Sequence, residues 1–176
     1  MRNTLSVKRL REGSGAVADE GDPITPAGLA ALKARYDHLL GTERPEIVEI
    51  VSWAAGNGDR SENGDYLYGR KRMREIDREL AFLARVMKHA KVVDPRAQPD
   101  KSRVFFGAIV TIADEDDDAR TVTLVGNHEQ DAGAGRLGWS SPMARALRGA
   151  EVGDVRIVRL PGGEREWEVL AIAYPE

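Results

Sequence analysis

The feature that most constrains the fold is a heptad pattern in the middle of the chain. Small or apolar residues recur there at alternating steps of three and four: Tyr66, Gly69, Met73, Ile76, Leu80, Leu83, Met87 and Ala90. An unbroken pattern of this kind places one apolar stripe along a helix and is typical of a coiled coil. Because a stripe needs a second helix to cover it, the chain is predicted to contain a helical pair.

The partner helix is expected directly upstream of this stripe. Thr25 and Pro26 suit the cap and the first position of a helix, and apolar residues follow at helical spacing: Leu29, Leu32, Tyr36 and Leu39. Gly41 and Pro45 predict a kink or short break, and residues 56–59 (Gly-Asn-Gly-Asp) predict a turn. Two helices of similar length joined by a tight turn are predicted to form an antiparallel hairpin.

The periodicity changes to two in the C-terminal part of the chain. Alternating apolar residues from Phe106 to Ile112 and a second run from Thr121 to Val125 flank an acidic turn, which predicts a hairpin. Ser141 is expected to cap a short helix, and strands are predicted around the turn at residues 161–163. The fold class is therefore α+β. We assign residues 1–22 to a flexible tail, 23–93 to the coiled-coil hairpin, 94–103 to a linker and 104–176 to a small, mostly antiparallel domain.

Composition excludes several classes of function. The chain has no cysteine, which excludes disulfides and thiolate metal sites, and its three histidines are scattered. No apolar run approaches the roughly 20 residues that span a membrane, and the first residues lack the apolar core of a secretory signal. A cytoplasmic protein without membrane contact is expected. Any metal ion would be a hard cation held by oxygen ligands.

Charge differs between the two halves of the chain. Residues 24–93 hold 12 Lys and Arg against 10 Asp and Glu, whereas residues 104–176 hold 7 against 13. The N-terminal half could approach an acidic partner, while the C-terminal half would be repelled by nucleic acid. Ordinary solvated surface is the alternative interpretation, and charge alone favours it.

The predicted hairpin tip carries two acids three residues apart, Asp59 and Glu62. At that spacing both carboxylates can point the same way and bind Mg²⁺, although such a site would be incomplete by itself. The alternative is an ordinary helix start. In that interpretation Ser61 caps the second helix, and the helix dipole stabilises Glu62 and Asp65 in its first turn. Asp59 is then a residue of the tight turn that joins the two helices.

The sequence around this tip resembles the Gre family, the transcript cleavage factors of bacterial RNA polymerase. Within that family the motifs are closer to GreB than to GreA. The resemblance covers about residues 24–174 and is carried by these segments: Trp53-Ala54-Ala55, Gly58-Asp59-Arg60-Ser61-Glu62-Asn63, Lys71–Asp77, Val104–Ile112 and Ser140–Asp154.

The resemblance implies an antiparallel coiled coil followed by an FKBP-like domain. It implies that the C-terminal domain docks at the rim of the polymerase secondary channel while the coiled coil passes down that channel. Asp59 and Glu62 would be the catalytic acids, helping to hold a second Mg²⁺ that is bound only in the complex with polymerase. Arg60, Ser61, Asn63 and Asp65 would support the tip. The chain would then be a monomeric accessory factor, and polymerase itself would cleave the 3′ end of backtracked RNA.

Two further groups of residues acquire expected roles from the resemblance. A basic strip follows the tip, and the resemblance favours contact with RNA over a solvated surface: Arg70, Lys71, Arg72 and Arg74. The start of the short C-terminal helix is expected to dock on polymerase: Ser141, Pro142 and Met143.

Three competing functions are considered for the same sequence. A channel-binding inhibitor on this scaffold would not need both Asp59 and Glu62. A dimerisation arm would not need the sequence Asp-Arg-Ser-Glu-Asn at its end. A nuclease acting alone would need more metal ligands than two acids.

Overall fold

The structure, a computed structural model, describes residues 21–58 and 63–176. Most of the predicted tail and the tip residues 59–62 lie outside this described part of the chain. Contacts group the chain into two units, one of residues 29–90 and one that joins residues 91–176 to the segment ending at Gly28. None of the helices within the described residues is both long enough and apolar enough to cross a membrane.

The helical unit is built from three α-helices and one π-helical segment. Helix α1 spans Pro26–His38, the π-helical segment spans Leu39–Glu43, α2 spans Arg44–Ala55 and α3 spans Gly64–His89. The predicted interruption near residues 41–45 is thus a widened turn, in which the Arg44 N–H donates to the Leu39 carbonyl. Pro45 has no N–H to continue the regular α-helical hydrogen bonds, which explains why their pattern changes just before it.

The predicted seam is confirmed on α3. Gly69, Ile76 and Leu83, each seven residues apart, are its buried positions. Ile76 and Leu83 form a core with Leu39, against which these side chains pack: Leu32, Tyr36, Ile47, Leu80 and Met87. The last residue of the pattern, Ala90, lies beyond the helix in a short strand.

Contacts between α2 and α3 show that the two helices run antiparallel. Arg44 at the start of α2 pairs with Asp77 well along α3, at 2.9 Å between Nε and Oδ1. Near the other end of α2, the Ala54 carbonyl accepts a hydrogen bond from Asn63, which precedes α3. Residue numbers therefore fall along one helix as they rise along the other, and the predicted hairpin is confirmed.

The other unit contains a five-stranded sheet with the strand order β5-β4-β3-β7-β6. Its strands are β3 (Ile109–Ala113), β4 (Ala119–Val125), β5 (Arg136–Gly138), β6 (Val155–Leu160) and β7 (Gly163–Ala173). All neighbouring pairs are antiparallel except β4 and β5, which are parallel. Helix α4 spans Pro142–Leu147, and its buried side chains join the core of the sheet. The predicted α+β class is confirmed.

The segment before α1 belongs to the sheet unit. Strand β1 (Asp22–Ile24) pairs with β2 (Ala90–Val92). The Glu129 carboxylate accepts hydrogen bonds from the Thr25 N–H at 3.0 Å, from the Thr25 hydroxyl and from the Gly126 N–H at 2.9 Å. Thr25 Oγ1 in turn accepts from the Gly28 N–H at 2.9 Å, so Thr25 caps α1 as predicted.

The stretch predicted as a linker contains ordered structure. Residues Pro95–Ala97 form a 3-10 turn capped by the Asp94 side chain. Pro95 is buried and packs against Gly107, whose φ of 80° and lack of a side chain allow this close approach. Residues 94–97 are thus packed against the sheet unit.

Candidate functional site

Asn63 is the residue at which the described part of the chain resumes after the tip, and its side chain contacts both helices of the hairpin. Its Oδ1 accepts a hydrogen bond from the Tyr66 N–H at 3.1 Å, which caps α3. Its Nδ2 donates to the Ala54 carbonyl at 2.8 Å, near the end of α2. One side chain therefore joins the last turn of α2 to the first turn of α3. Asn63, rather than Ser61, is the residue that caps α3.

The turn that leaves α2 is also well defined. The Gly56 N–H donates to the Trp53 carbonyl and the Asn57 N–H to the Ala54 carbonyl, each at 3.1 Å. Gly58 has a φ of 110°, which a residue with a side chain adopts only under strain. The turn predicted at this position is confirmed up to Gly58.

The two candidate acids, Asp59 and Glu62, lie outside the described residues together with Arg60 and Ser61. In the sequence both acids lie between Gly58 and Asn63, the residues at which the contacts above end and begin. Two carboxylates are the kind of oxygen ligands that Mg²⁺ prefers. Within residues 21–58 and 63–176, no three His, Asp or Glu residues come together as a metal site. Asp65 is exposed in the first turn of α3, where the helix dipole favours an acid.

A close helix contact lies just behind the tip. A side-chain carbon added at Gly69 would come within 2.5 Å of Val51 Cγ2, so the two helices approach at a position where only glycine fits without rearrangement. Ala54 is fully buried on the facing side of α2. The small residues therefore let α2 and α3 pack closely just behind the tip.

The four residues of the basic strip differ in the ion pairs that they form with the described part of the chain. Arg72 pairs with Glu43 at 2.7 Å and with Glu75 at 3.3 Å. The hydrogen bonds from Arg35 and Arg72 hold the pKa of Glu43 below its usual range. Arg70, Lys71 and Arg74 are exposed and form no ion pair with the described part of the chain.

Two aromatic residues near the tip are largely exposed. Trp53 is 66% exposed and Tyr68 is 62% exposed. Trp53 is therefore not part of the packed interface between α2 and α3. The seam of α2 runs through Val51 and Ala54, and at 100° per residue Trp53 points away from α3.

The expected docking residues have different surroundings. The Ser141 hydroxyl caps α4 by accepting from the Ala144 N–H at 3.3 Å. Pro142 is exposed, whereas Met143 is only 6% exposed and belongs to the core of the sheet unit. Pro142 is therefore the exposed apolar side chain of these three residues.

Asn63 yields a prediction on stability. Asn63→Ala removes both the α3 cap and the bond to Ala54, and is expected to lower the free energy of unfolding by about 1–3 kcal/mol. Asn63→Asp keeps the capping oxygen and loses only the donor, so it should cost less. Denaturant unfolding followed by helical circular dichroism compares the two. Equal losses would mean that the capping oxygen contributes nothing, whereas wild-type stability of Asn63→Asp would mean that the bond to Ala54 contributes nothing.

Comparison with known proteins places the chain in a family. Residues 22–92 match the family model described as "Transcription elongation factor, N-terminal". Residues 98–174 match "Transcription elongation factor, GreA/GreB, C-term". The chain therefore belongs to the GreA/GreB family of transcription elongation factors.

Relatives of known name agree with this assignment. The transcription elongation factor GreB of Neisseria meningitidis serogroup B is 50% identical over 151 residues, which cover 86% of this chain and 93% of that protein. GreB of Pseudomonas aeruginosa is 44% identical over 152 residues, covering 86% of this chain and 90% of that protein.

Solved structures of the family are more distant. GreA factor homolog 1 of Thermus thermophilus is 21% identical with a TM-score of 0.40, and the match covers 87% of this chain and 99% of that one. A GreA/GreB factor from Nitrosomonas europaea is also 21% identical, with a TM-score of 0.38 and the same coverage.

Proposed function

We propose that this chain binds bacterial RNA polymerase and enters its secondary channel with the helical hairpin. There it stimulates cleavage of the 3′ end of backtracked RNA. The observation that carries the proposal is the sequence Asp59-Arg60-Ser61-Glu62, placed between α2 and α3 in a chain of the GreA/GreB family. The hydrogen bonds of Asn63 support the proposal, because they join the two helix ends between which this sequence lies.

The proposed role of Asp59 and Glu62 is to supply carboxylate ligands. Two acids are too few to hold Mg²⁺ firmly, so the site is completed only when polymerase contributes the remaining ligands. With this ion held beside the one that polymerase itself binds, the pair would supply two-metal chemistry, in which one ion activates the attacking water and the other stabilises the leaving oxygen. The chain is then an accessory factor, and the cleavage activity belongs to polymerase.

A cleavage assay tests the proposal. Purified chain is added to a halted, backtracked complex with 3′-labelled RNA, and the rate of release of the short labelled fragment is measured. The rate is expected to rise with the concentration of the chain and to saturate. Free RNA without polymerase should remain intact. Binding to polymerase without faster cleavage would instead indicate an inhibitor, and cleavage of free RNA would indicate an independent nuclease.

The free cations behind the tip yield a second prediction. Because Arg72 is engaged by Glu43 and Glu75, we assign RNA contact to the basic residues that form no ion pair with the described part of the chain. Arg70 and Arg74 lie four apart on one face, and Lys71 and Arg78 lie seven apart on another. Each pair is replaced by alanine in one double variant. One of these two variants is expected to slow cleavage of long backtracked RNA several-fold and to flatten the salt dependence of the cleavage rate. Wild-type rates and salt dependence in both variants would leave the strip as solvated surface.

A further inference from the structure

Two ion pairs between the helices mark the two flanks of the hairpin. Glu43, directly before α2, pairs with Arg72 at 2.7 Å, and its neighbour Arg44 pairs with Asp77 at 2.9 Å. At 100° per residue, Arg72 and Asp77 are about 140° apart on α3, on either side of the buried Ile76. The two pairs therefore lie on opposite sides of the seam, and residues in helical phase with them can be assigned to one flank or the other.

The flank marked by the Arg44–Asp77 pair is basic. Arg70 lies seven residues before Asp77 and Arg74 lies three before it, so both share its face of α3. Both side chains are exposed and form no ion pair with the described part of the chain. Arg70 and Arg74 are called the basic flank below.

The flank marked by the Glu43–Arg72 pair carries exposed apolar and aromatic side chains. Tyr68 lies four residues before Arg72, Ile50 lies seven after Glu43, and Trp53 lies three after Ile50. These spacings place the three residues on one side of the hairpin. Ile50 is 40% exposed, Trp53 66% and Tyr68 62%. Ile50, Trp53 and Tyr68 are called the aromatic flank below.

The two rings lie at the same height on the hairpin. Val51 of α2 faces Gly69 of α3, where an added side-chain carbon would lie 2.5 Å from Val51 Cγ2. Trp53 is two residues after Val51, and Tyr68 directly precedes Gly69. At ~1.5 Å per residue, both rings begin within about one helical turn of this contact, on its tip side. Together with Ile50 they give one apolar area just behind the tip.

The charges beside the aromatic flank are mainly acidic. Glu46 lies four residues before Ile50 and Asp65 lies three before Tyr68, and both are exposed without an ion pair to the described part of the chain. Lys71 is an exposed cation nearby, but it lies on the back of α3, about 160° from the seam. Proteins that stack RNA bases on aromatic rings combine them with a basic groove for the phosphates. The aromatic flank therefore suits a protein surface better than RNA.

We infer that Ile50, Trp53 and Tyr68 bind an apolar protein surface that has basic residues at its edge. Under the proposed function, on which this inference rests, that surface belongs to the wall of the polymerase secondary channel. Trp and Tyr side chains bury a large area at a low cost in conformational entropy, and they are enriched among the residues that dominate binding energy. The acids Glu46 and Asp65 complement a basic edge.

This contact fixes the rotation of the hairpin about its own axis. A hairpin bound along one flank has one orientation, in which the basic flank faces the opposite side and is left for RNA. Trp53 and Tyr68 are then positioning residues for the tip carboxylates, since they act through the orientation of the helices that carry them. A misplacement of about 1 Å can slow a reaction about 10²-fold, so loss of this contact affects the cleavage rate as well as affinity.

The test uses the double variant Trp53→Ala and Tyr68→Ala in the full chain. Leu67→Ala is the matched control, because Leu67 is 51% exposed on the same helix and lies on the opposite side of the seam from Tyr68. The double variant Trp53→Phe and Tyr68→Phe keeps both rings. Cleavage in halted complexes with short or long backtracked RNA is measured against factor concentration, and thermal unfolding of each variant is measured separately.

The double alanine variant is expected to raise the half-saturating concentration about tenfold and to lower the saturated cleavage rate about tenfold. Both effects should be the same for short and long RNA, and the unfolding temperature should be unchanged because both side chains are exposed. The double Phe variant should recover most of both quantities, and Leu67→Ala should match the wild type. Glu46→Gln should raise the half-saturating concentration several-fold and weaken its salt dependence.

The contrary outcomes can be told apart. If the wild type stimulates cleavage and the double alanine variant matches it in both quantities, the aromatic contact is refuted and the proposed function stands. If the wild type does not stimulate cleavage, the proposed function fails and this inference fails with it. A defect confined to long backtracked RNA would assign the rings to RNA bases and refute the protein contact. A higher half-saturating concentration with an unchanged saturated rate would refute the positioning role.

Discussion

Replacing Asp59 or Glu62 by alanine is expected to slow transcript cleavage about 10²- to 10³-fold, as removal of one charge-stabilising group from an active centre does. Affinity for polymerase should change little, because a pair of tip carboxylates provides little contact area. The reason is chemical: alanine offers no oxygen to Mg²⁺, so the shared metal site loses a ligand. Single-turnover cleavage at saturating factor, combined with a separate binding measurement, distinguishes the two quantities.

Glu49→Ala is the matched control for this pair of variants. Glu49 is an exposed acid on α2, so its replacement makes the same change in net charge on the same hairpin. It should cleave at the wild-type rate. If Glu49→Ala loses as much activity as Asp59→Ala, the effect is general electrostatics of the hairpin. If the tip variants lose binding and cleavage in equal measure, the carboxylates contribute to docking rather than to the metal site.

Ile76→Ala is expected to lower the free energy of unfolding of the helical unit by about 2–5 kcal/mol. Ile76 is fully buried between Leu39 and Leu83, and these three are the buried residues of a narrow core. The cavity left by the lost carbons has few neighbours that can close it, because the helices already pack against each other along the seam.

Leu67→Ala provides the comparison on the same helix. Leu67 is 51% exposed, so its truncation should cost no more than about 0.5 kcal/mol. Urea unfolding followed by circular dichroism at a helical wavelength measures both variants. Similar midpoints for Ile76→Ala and Leu67→Ala would show that the seam does not hold the hairpin together.

The hairpin could be predicted from sequence because its signal is long and periodic. Eight residues in heptad register specify one buried face, and the buried positions Gly69, Ile76 and Leu83 lie on it. The strands of the sheet unit were predictable for the same reason, since alternation over several residues marks a half-buried strand. Strand β5 was missed because three residues, Arg136–Gly138, are too few to show any period.

The details around the tip depended on contacts that sequence patterns do not encode. Ser61 and Asn63 are both good capping residues, and the choice of Asn63 follows from its bond to Ala54 across the hairpin. In the same way, the run of basic residues at 70–74 is uniform in sequence. Among the described residues, ion pairs engage Arg72 alone of the four predicted RNA-binding residues, because Glu43 approaches it from the π-helical segment. Packing of one helix against another decides both cases.

The central claim is that the tip carboxylates contribute to Mg²⁺ binding at the polymerase active centre. The most direct measurement is the Mg²⁺ dependence of cleavage in a halted complex, with saturating wild-type chain or with the double variant Asp59→Asn and Glu62→Gln. The amides keep the size of the side chains and remove their charge. The wild type is expected to lower the Mg²⁺ concentration for half-maximal cleavage relative to polymerase alone, and the double variant should leave it unchanged. An equal shift with both proteins would contradict the claim.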